Sequence, residues 1–329
     1  MFGWGKDEKM PVDEQQRSWY LLEKVVTESQ TEQRRARRWG VFFKLLTFVY
    51  LIGAMVLFSP ALQQGGSGLS GLSGKDHTAV VRVKGVIAED QEAGANVIVK
   101  GLREAFESKH TKAVIMAINS PGGSPVQAGY IYDEMKRLRA KYPAIPLYAV
   151  IGDIGASGAY YIASAADKIY VSESSLVGSI GVTAAGFGFV ETMNKLGVER
   201  RNYTSGEHKS FLDPFSPERP EEREFWLQVL DKTHEQFIKR VRDGRGDRLK
   251  ETPDMFTGLI WNGEQAIAMG LADGYGSPGQ VARDVVKVED LVDFTPQKNP
   301  FDALTQKLGA SAGAAFAEKM GLEKSIDLR

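Results

Sequence analysis

The sequence predicts an α/β domain held behind a single N-terminal transmembrane helix. Three observations carry that expectation: a near-continuous apolar run at residues 39–58, a glycine- and serine-rich stretch after it, and then short Val- and Ile-rich runs alternating with longer segments of helical period. A length of 329 residues accommodates an anchor and one full-sized globular domain.

Residues 1–38 are highly charged and poor in apolar positions, and they read as a cytoplasmic segment, disordered or loosely helical. From Trp39 to Phe58 the chain is apolar except for Lys44 and Thr47. At ~1.5 Å rise per residue this length matches a hydrocarbon core of ~30 Å. Lys44 lies near the start of the run, where its long stem carries the ammonium toward the headgroups. Arg34, Arg35, Arg37 and Arg38 precede the run, so the positive-inside rule keeps the amino terminus in the cytoplasm and sends the rest of the chain across the membrane. The long charged segment ahead of the run, with no small-x-small cleavage site behind it, favours a retained anchor over a cleaved signal peptide.

Residues 59–76 form a linker whose Gln63 to Gly74 portion, QQGGSGLSGLSG, is flexible by composition and spans roughly 20 Å. Residues 77–295 make the globular domain. Strands are expected at Thr78 to Ile87, Ala113 to Ile118, Ile145 to Ile151, Ile169 to Val171, Ile180 to Thr183 and Val198 to Tyr203. Helices are expected at Asn96 to Ser108, Val126 to Tyr142, from Ser157 as far as Asp167, and over Glu221 to Arg245. Another is expected after Trp261, ended at Gly270 and followed by a strand into Tyr275. Three crossovers in series follow from that alternation. Residues 296–329 depart in composition, and they read either as a frayed end or as a weakly amphipathic face for a neighbour or a membrane surface.

Composition narrows the chemistry. With 41 basic and 42 acidic residues the net charge is -1, which gives no electrostatic case for nucleic acid. The chain has no cysteine, so any nucleophile must carry oxygen. No metal-ligand cluster is evident, and no glycine-rich loop ends in the Gly-Lys-Ser/Thr of a phosphate-binding P-loop, so no cofactor is implied.

Two strand ends are candidates for a site, because open α/β sheets present ligand sites at the carboxyl ends of their strands. The first carries Asn119-Ser120-Pro121-Gly122-Gly123, which reads as a tight turn or as backbone N–H groups turned toward a bound oxygen. The second carries Gly155-Ala156-Ser157-Gly158-Ala159, a serine entering a helix between small residues. Ser157 reads either as a helix cap or as a nucleophile whose oxyanion would be met by the first-turn N–H groups.

A serine hydroxyl needs a base. Of the four histidines, His77 adjoins the linker, His110 lies between a helix and a strand, and His234 sits within the long helix, none beside an apparent site loop. His208 and Lys209 are better placed, in Ser205-Gly206-Glu207-His208-Lys209-Ser210. A lysine amine ordinarily titrates near ~10.4, so it serves as a base near neutrality only where burial strips it of water and no carboxylate holds its proton. In a polar loop its bland reading is a solvated side chain.

Taken together, these segments resemble signal peptide peptidase A, a family of Ser-Lys peptidases, in its short single-repeat form. The resemblance covers about Thr78 to Asp293. It rests on Ser120-Pro121-Gly122-Gly123, on Ala156-Ser157-Gly158-Ala159-Tyr160-Tyr161-Ile162-Ala163, on Val177-Gly178-Ser179-Ile180-Gly181-Val182, and on Trp261 with Gly263 and Gly270-Leu271-Ala272-Asp273. The chain departs mildly from the family at Ala159, where a second glycine is usual.

The resemblance implies a crotonase-like (Clp/crotonase) fold. It also implies Ser157 as nucleophile, Lys209 as base, Ser179 as the group orienting the lysine, and the backbone N–H groups of Gly123 and Gly158 as the oxyanion hole. It further implies a homo-oligomeric ring whose sites draw Ser and Lys from neighbouring subunits, and peptide substrates such as apolar signal-peptide remnants. The enoyl-CoA hydratases share the crotonase-like fold, but they lack the serine nucleophile and are soluble, so the anchor argues against them; two further rivals stand beside the peptidase. One is a Clp-like protease, which would need a histidine roughly 25 residues after the serine, where this chain has Ser179 to Val182. The other is a catalytically inactive ring-forming membrane scaffold.

Overall fold

The computed structural model describes residue 19, residues 37–53 and residues 74–296. The chain divides into two compact units, Met1–Ser67 and Gly68–Arg329. In the first unit residues 37–53 form helix α1, on which Trp39, Phe42 and Phe43 pack ring against ring. Among the described residues no helix is long and apolar enough to cross a membrane. Helix α1 takes in residues 39–53 of the expected anchor, while residues 54–58, most of the linker and nearly all of the tail lie outside the described residues.

The second unit is a mixed α/β fold built on one eight-stranded sheet of order β6-β5-β3-β2-β1-β8, with β4 pairing β3 and β7. Its elements are β1 (His77–Lys84), α2 (Ala95–Glu107), β2 (Thr111–Ser120), α3 (Pro125–Lys141), β3 (Leu147–Ala156), α4 (Gly158–Ala163), β4 (Lys168–Val171) and β5 (Leu176–Gly178). There follow α5 (Val190–Leu196), α6 (Pro220–Arg245), β6 (Ile260–Trp261), α7 (Gly263–Ala268), β7 (Gly274–Tyr275), α8 (Pro278–Gln280) and β8 (Leu291–Asp293). Every pairing is parallel except β5 with β6.

Alternation along the central strands decides which layer each residue serves. Val81, Met116 and Ile151 face the larger core, which α2, α3, α4 and α6 cover with Leu102, Ile131, Ile162 and Val241. Val80, Ile115 and Val150 face the smaller one, closed by Tyr170, Val281 and Ala282. Both faces being covered, the strands read as continuous apolar runs rather than alternating ones.

Local signals agree with these elements. The Ser124 side chain caps α3 by accepting from the Gln127 N–H, with Pro125 in the first turn. Asn262 and Gln265 form a reciprocal cap on α7. The C-terminal end of α6 is fixed by Arg245, whose buried guanidinium donates to both oxygens of Asp273 at 2.8 and 2.9 Å and to the Gly270 carbonyl at 2.9 Å. Burial resists ionisation of Asp273, but the Arg245 bonds and charge outweigh it, and its carboxyl is held below the usual range.

Several expected elements differ. No strand forms at Ile180 to Thr183 or at Val198 to Tyr203. In the first case the Ser179 N–H is donated to the Leu259 carbonyl, and a Gly181 N–H to Ser179 carbonyl bond curls the chain. In the second, Val198 and Tyr203 are exposed, and among the described residues no neighbouring strand is there to pair. The helix after Ser157 stops at Ala163 rather than Asp167, because the Asp167 side chain instead accepts from the Leu147 N–H at the start of β3.

Candidate active site

Strand β3 ends at Ala156 and α4 begins at Gly158, so Ser157 occupies the single-residue turn between them. Its backbone lies at φ 53°, ψ -126°, a region that side chains other than hydrogen avoid. Such strain costs about 1–3 kcal/mol and persists only where the surroundings fix it. Here the Ser157 N–H is donated to the Gly178 carbonyl at 2.8 Å, tying the turn to the end of β5. Strand β5 runs parallel to the last residues of β3, with Ala156 opposite Gly178, so Ser179 follows directly beside Ser157's strand. Ser179 too has positive φ, 50°.

The glycine loop arrives from the other side. The Ile87 N–H is donated to the Gly122 carbonyl at 2.9 Å and the Ser124 N–H to the Ile87 carbonyl at 2.8 Å, which holds the loop as an extension of the sheet. A Cβ on Gly122, at φ 98°, would lie 2.8 Å from the Ser157 Cβ and 2.7 Å from the Gly158 nitrogen. Only glycine permits that approach. The Gly123 nitrogen lies 3.4 Å from the position of a Cβ on Gly158, and among the described residues neither of these two N–H groups is donated to a protein acceptor. Two such free donors at the Ser157 turn are what stabilisation of an oxyanion there would require.

Ser157, Ser179, Gly123 and Gly158 all line one cleft of about 850 Å³. Its walls include Val126 and Gly129 of α3, Tyr161 of α4 and Phe237 of α6. Burial pushes the Tyr161 hydroxyl up, against the pull of the nearby Arg240 guanidinium, so it stands in the cleft as a neutral phenol. Trp261, a residue of the sequence motif, packs its ring over Gly178, where a Cβ would come within 2.9 Å of the ring, and pairs through its backbone with Val177.

Lys209 is not brought to this cleft. It is exposed, in an irregular turn whose Lys209 N–H is donated to the Gly206 carbonyl at 3.2 Å, and it is absent from the cleft lining. The nearby Glu222 carboxylate is taken by His208 at 3.2 Å and by Arg219, and among the described ion pairs none includes Lys209. The reading of His234 as remote from any site loop is corrected. Its Nε2 lies 2.9 Å from the Ile180 carbonyl, so the imidazole sits one residue from Ser179. Nothing in the sequence marks that contact, since 54 positions separate the two residues. Among the described residues no cluster of side chains could hold a metal ion.

The sequence profile described as "Peptidase family S49" matches residues 139–291, and that described as "Clp protease" matches residues 79–175. Ser157 falls within both matches, whereas Ser179 and Lys209 fall only within the first. Among relatives, a protein of Brucella melitensis named Na(+)/H(+) antiporter NhaA is 46% identical over 53% of this chain and 24% of its own length. A protein of Enterococcus faecium named as signal peptide peptidase SppA is 31% identical over 69% of this chain and 65% of that protein. The protein named Protease 4 of Haemophilus influenzae is 30% identical over 65% of this chain and 35% of its own. The chain thus spans about a quarter of the antiporter-named relative and under two thirds of the other two.

Proposed function

The chain belongs to the signal peptide peptidase A family, peptidase family S49, and from that membership we propose that it is a membrane-anchored serine endopeptidase with a crotonase-like fold. The observation that carries the reading is the strained Ser157 turn, set in a cleft between two undonated glycine N–H groups. Ser157 Oγ attacks the scissile carbonyl and gives its proton to the Lys209 amine. Gly123 and Gly158 N–H groups receive the oxyanion, each such donor being worth about 2.7–4 kcal/mol in the transition state. Collapse returns the proton to the leaving amine and leaves an acyl-Ser157, which water hydrolyses with the same lysine as base. Ser179 holds the amine in line.

Because Lys209 is exposed within one chain, its desolvation is assigned to a neighbouring copy in a homo-oligomeric ring, where it enters that copy's cleft. The anchor at residues 39–58 holds the domain outside the cytoplasmic membrane with the amino terminus inside, close to short apolar peptides such as signal-peptide remnants. A Ser-His reading has one observation in its favour, His234 beside Ile180. Against it, His234 does not line the cleft and its Nε2 is already engaged by the carbonyl.

The test is labelling with a fluorophosphonate, together with Ser157→Ala, Lys209→Ala and His234→Ala. Labelling confined to Ser157 is expected. The first two variants should each lose about 10³-fold or more in turnover, with activity recovered on mixing them under subunit exchange. Absence of labelling would leave the inactive scaffold. Loss of activity in His234→Ala but not in Lys209→Ala would leave the Clp-like dyad.

A further inference from the structure

Most glycines around the cleft have a local reason to be glycine. Gly122, Gly123 and Gly178 have positive φ, and Gly155 lies where a Cβ would come within 2.8 Å of the Ile151 side chain. Gly129 has neither reason. It stands in the interior of α3 without a positive φ, where glycine is less favourable than alanine. A Cβ there would meet only the Tyr161 hydroxyl oxygen, at 4.0 Å, an ordinary contact.

What the missing side chain does is leave space. Val126, Gly129, Tyr130 and Asp133 share one face of α3, at spacings of three, four and seven, and all four line the cleft that holds Ser157. Opposite them the rings of Tyr161 and Phe237 lie 5.1 Å apart and largely buried, making an aromatic floor under the gap that presents the Tyr161 hydroxyl at its edge. Val126 is exposed and adds an apolar rim.

Resting on the peptidase reading above, we propose that Gly129 is the specificity-determining residue of this cleft. Its lack of a side chain opens a pocket between α3 and α6 that takes one bulky apolar side chain of the peptide, leucine- or phenylalanine-like. A side chain at 129 would grow from the α3 wall toward Tyr161 and fill that pocket.

The experiment measures kcat/KM for the full-length protein on paired peptides that differ only by Leu or Ala at one position on either side of the scissile bond. Wild type is compared with Gly129→Ala and Gly129→Leu. The Leu-to-Ala ratio is expected to fall about tenfold or more in Gly129→Leu and by less in Gly129→Ala. Gly129→Ala should also raise the thermal midpoint, which separates a filled pocket from a damaged helix. A Gly129→Leu ratio within about twofold of wild type at every position overturns the inference. If Ser157 still reacts with a fluorophosphonate in that case, the peptidase reading survives it; if wild-type Ser157 never reacts, both fall together.

Discussion

Strands β2 and β3 bury nearly all of their apolar side chains, whereas none of residues 181–221 is buried, although that second stretch carries Phe187, Leu196, Tyr203, Leu212 and Phe215. The stretch is not featureless. Phe189 stacks on Phe215 at 5.4 Å, Arg200 lies over the Phe215 ring, and Phe211 meets Phe225 and Trp226. Yet Phe187 keeps 81% of its surface exposed and Tyr203 90%. The nucleophile's side of the proposed chemistry is therefore built into the sheet, while the proposed base, Lys209, sits on a segment with large apolar surface left open. On the proposed dyad, this difference leaves one half fully shaped in a single chain and the other not.

The largest expected effect contrasts an ion pair from each region. Arg245 is fully buried and bonded to Asp273, so Arg245→Met leaves a carboxylate stranded and should cost about 3–5 kcal/mol in denaturant unfolding. Arg200, half exposed and 3.4 Å from Asp213, should lose about 1 kcal/mol or less as Arg200→Met. Equal losses would break the comparison, for they would mean that the exposed segment is as tightly held as the sheet.

A second prediction sharpens it. Phe187→Ser and Tyr203→Ser remove apolar surface that a single chain does not bury, so the folding free energy of the subunit should move by no more than about 0.5 kcal/mol. If the segment meets a neighbouring copy, the same changes should shift sedimentation toward smaller species and lower activity with it. Sedimentation identical to wild type, at concentrations where the protein self-associates, would argue that this surface serves something other than assembly.

The regions also differ in how far they could be read from sequence. Strand β2 was expected at Ala113 to Ile118 and spans Thr111–Ser120, and the long helix was expected at Glu221 to Arg245 and spans Pro220–Arg245. Strand β2 carries a dense apolar signal that packing satisfies, whereas the long helix is set by its period and length: of its apolar side chains Phe237 and Val241 are buried, and Phe225, Leu227 and Val229 stay exposed. In the exposed stretch the same kind of signal misleads: Val198 and Tyr203 have strand-forming side chains but, among the described residues, no strand beside them. Strand β8 has no signal of its own in the sequence, because its three residues are a strand only through pairing with β1. At the site, Ser157 and the glycine loop were legible as strand ends followed by small residues. The Ser157 and Ser179 backbone angles and the His234 contact were not, since each is imposed by chain distant in sequence.

The smallest expected effect lies in the ordered region and depends on pH. The Glu134 side chain on α3 accepts from Arg137 at 2.7 and 2.8 Å and from Arg103 of α2 at 2.6 Å. The Arg137 bond, aided by Arg103 and opposed by burial, holds the carboxyl down at about 2 from an ordinary 4.5. A depressed carboxylate contributes its stability above the unfolded value and loses it as pH falls through the folded one. The contribution is therefore intact at neutral pH and drains away between pH 4.5 and about 2. Both arginines are about half exposed, so solvent screening limits the effect to about 1 kcal/mol. Glu134→Gln should then unfold more easily than wild type at pH 7, with the gap narrowing as the pH is lowered below 4.5. In the exposed segment, where Glu199 meets Arg201 at 3.0 Å with both side chains open to solvent, Glu199→Gln should leave unfolding at pH 7 within about 0.5 kcal/mol of wild type. A gap for Glu134→Gln that stays constant down to pH 2 would mean that the α2–α3 contact is held by packing alone.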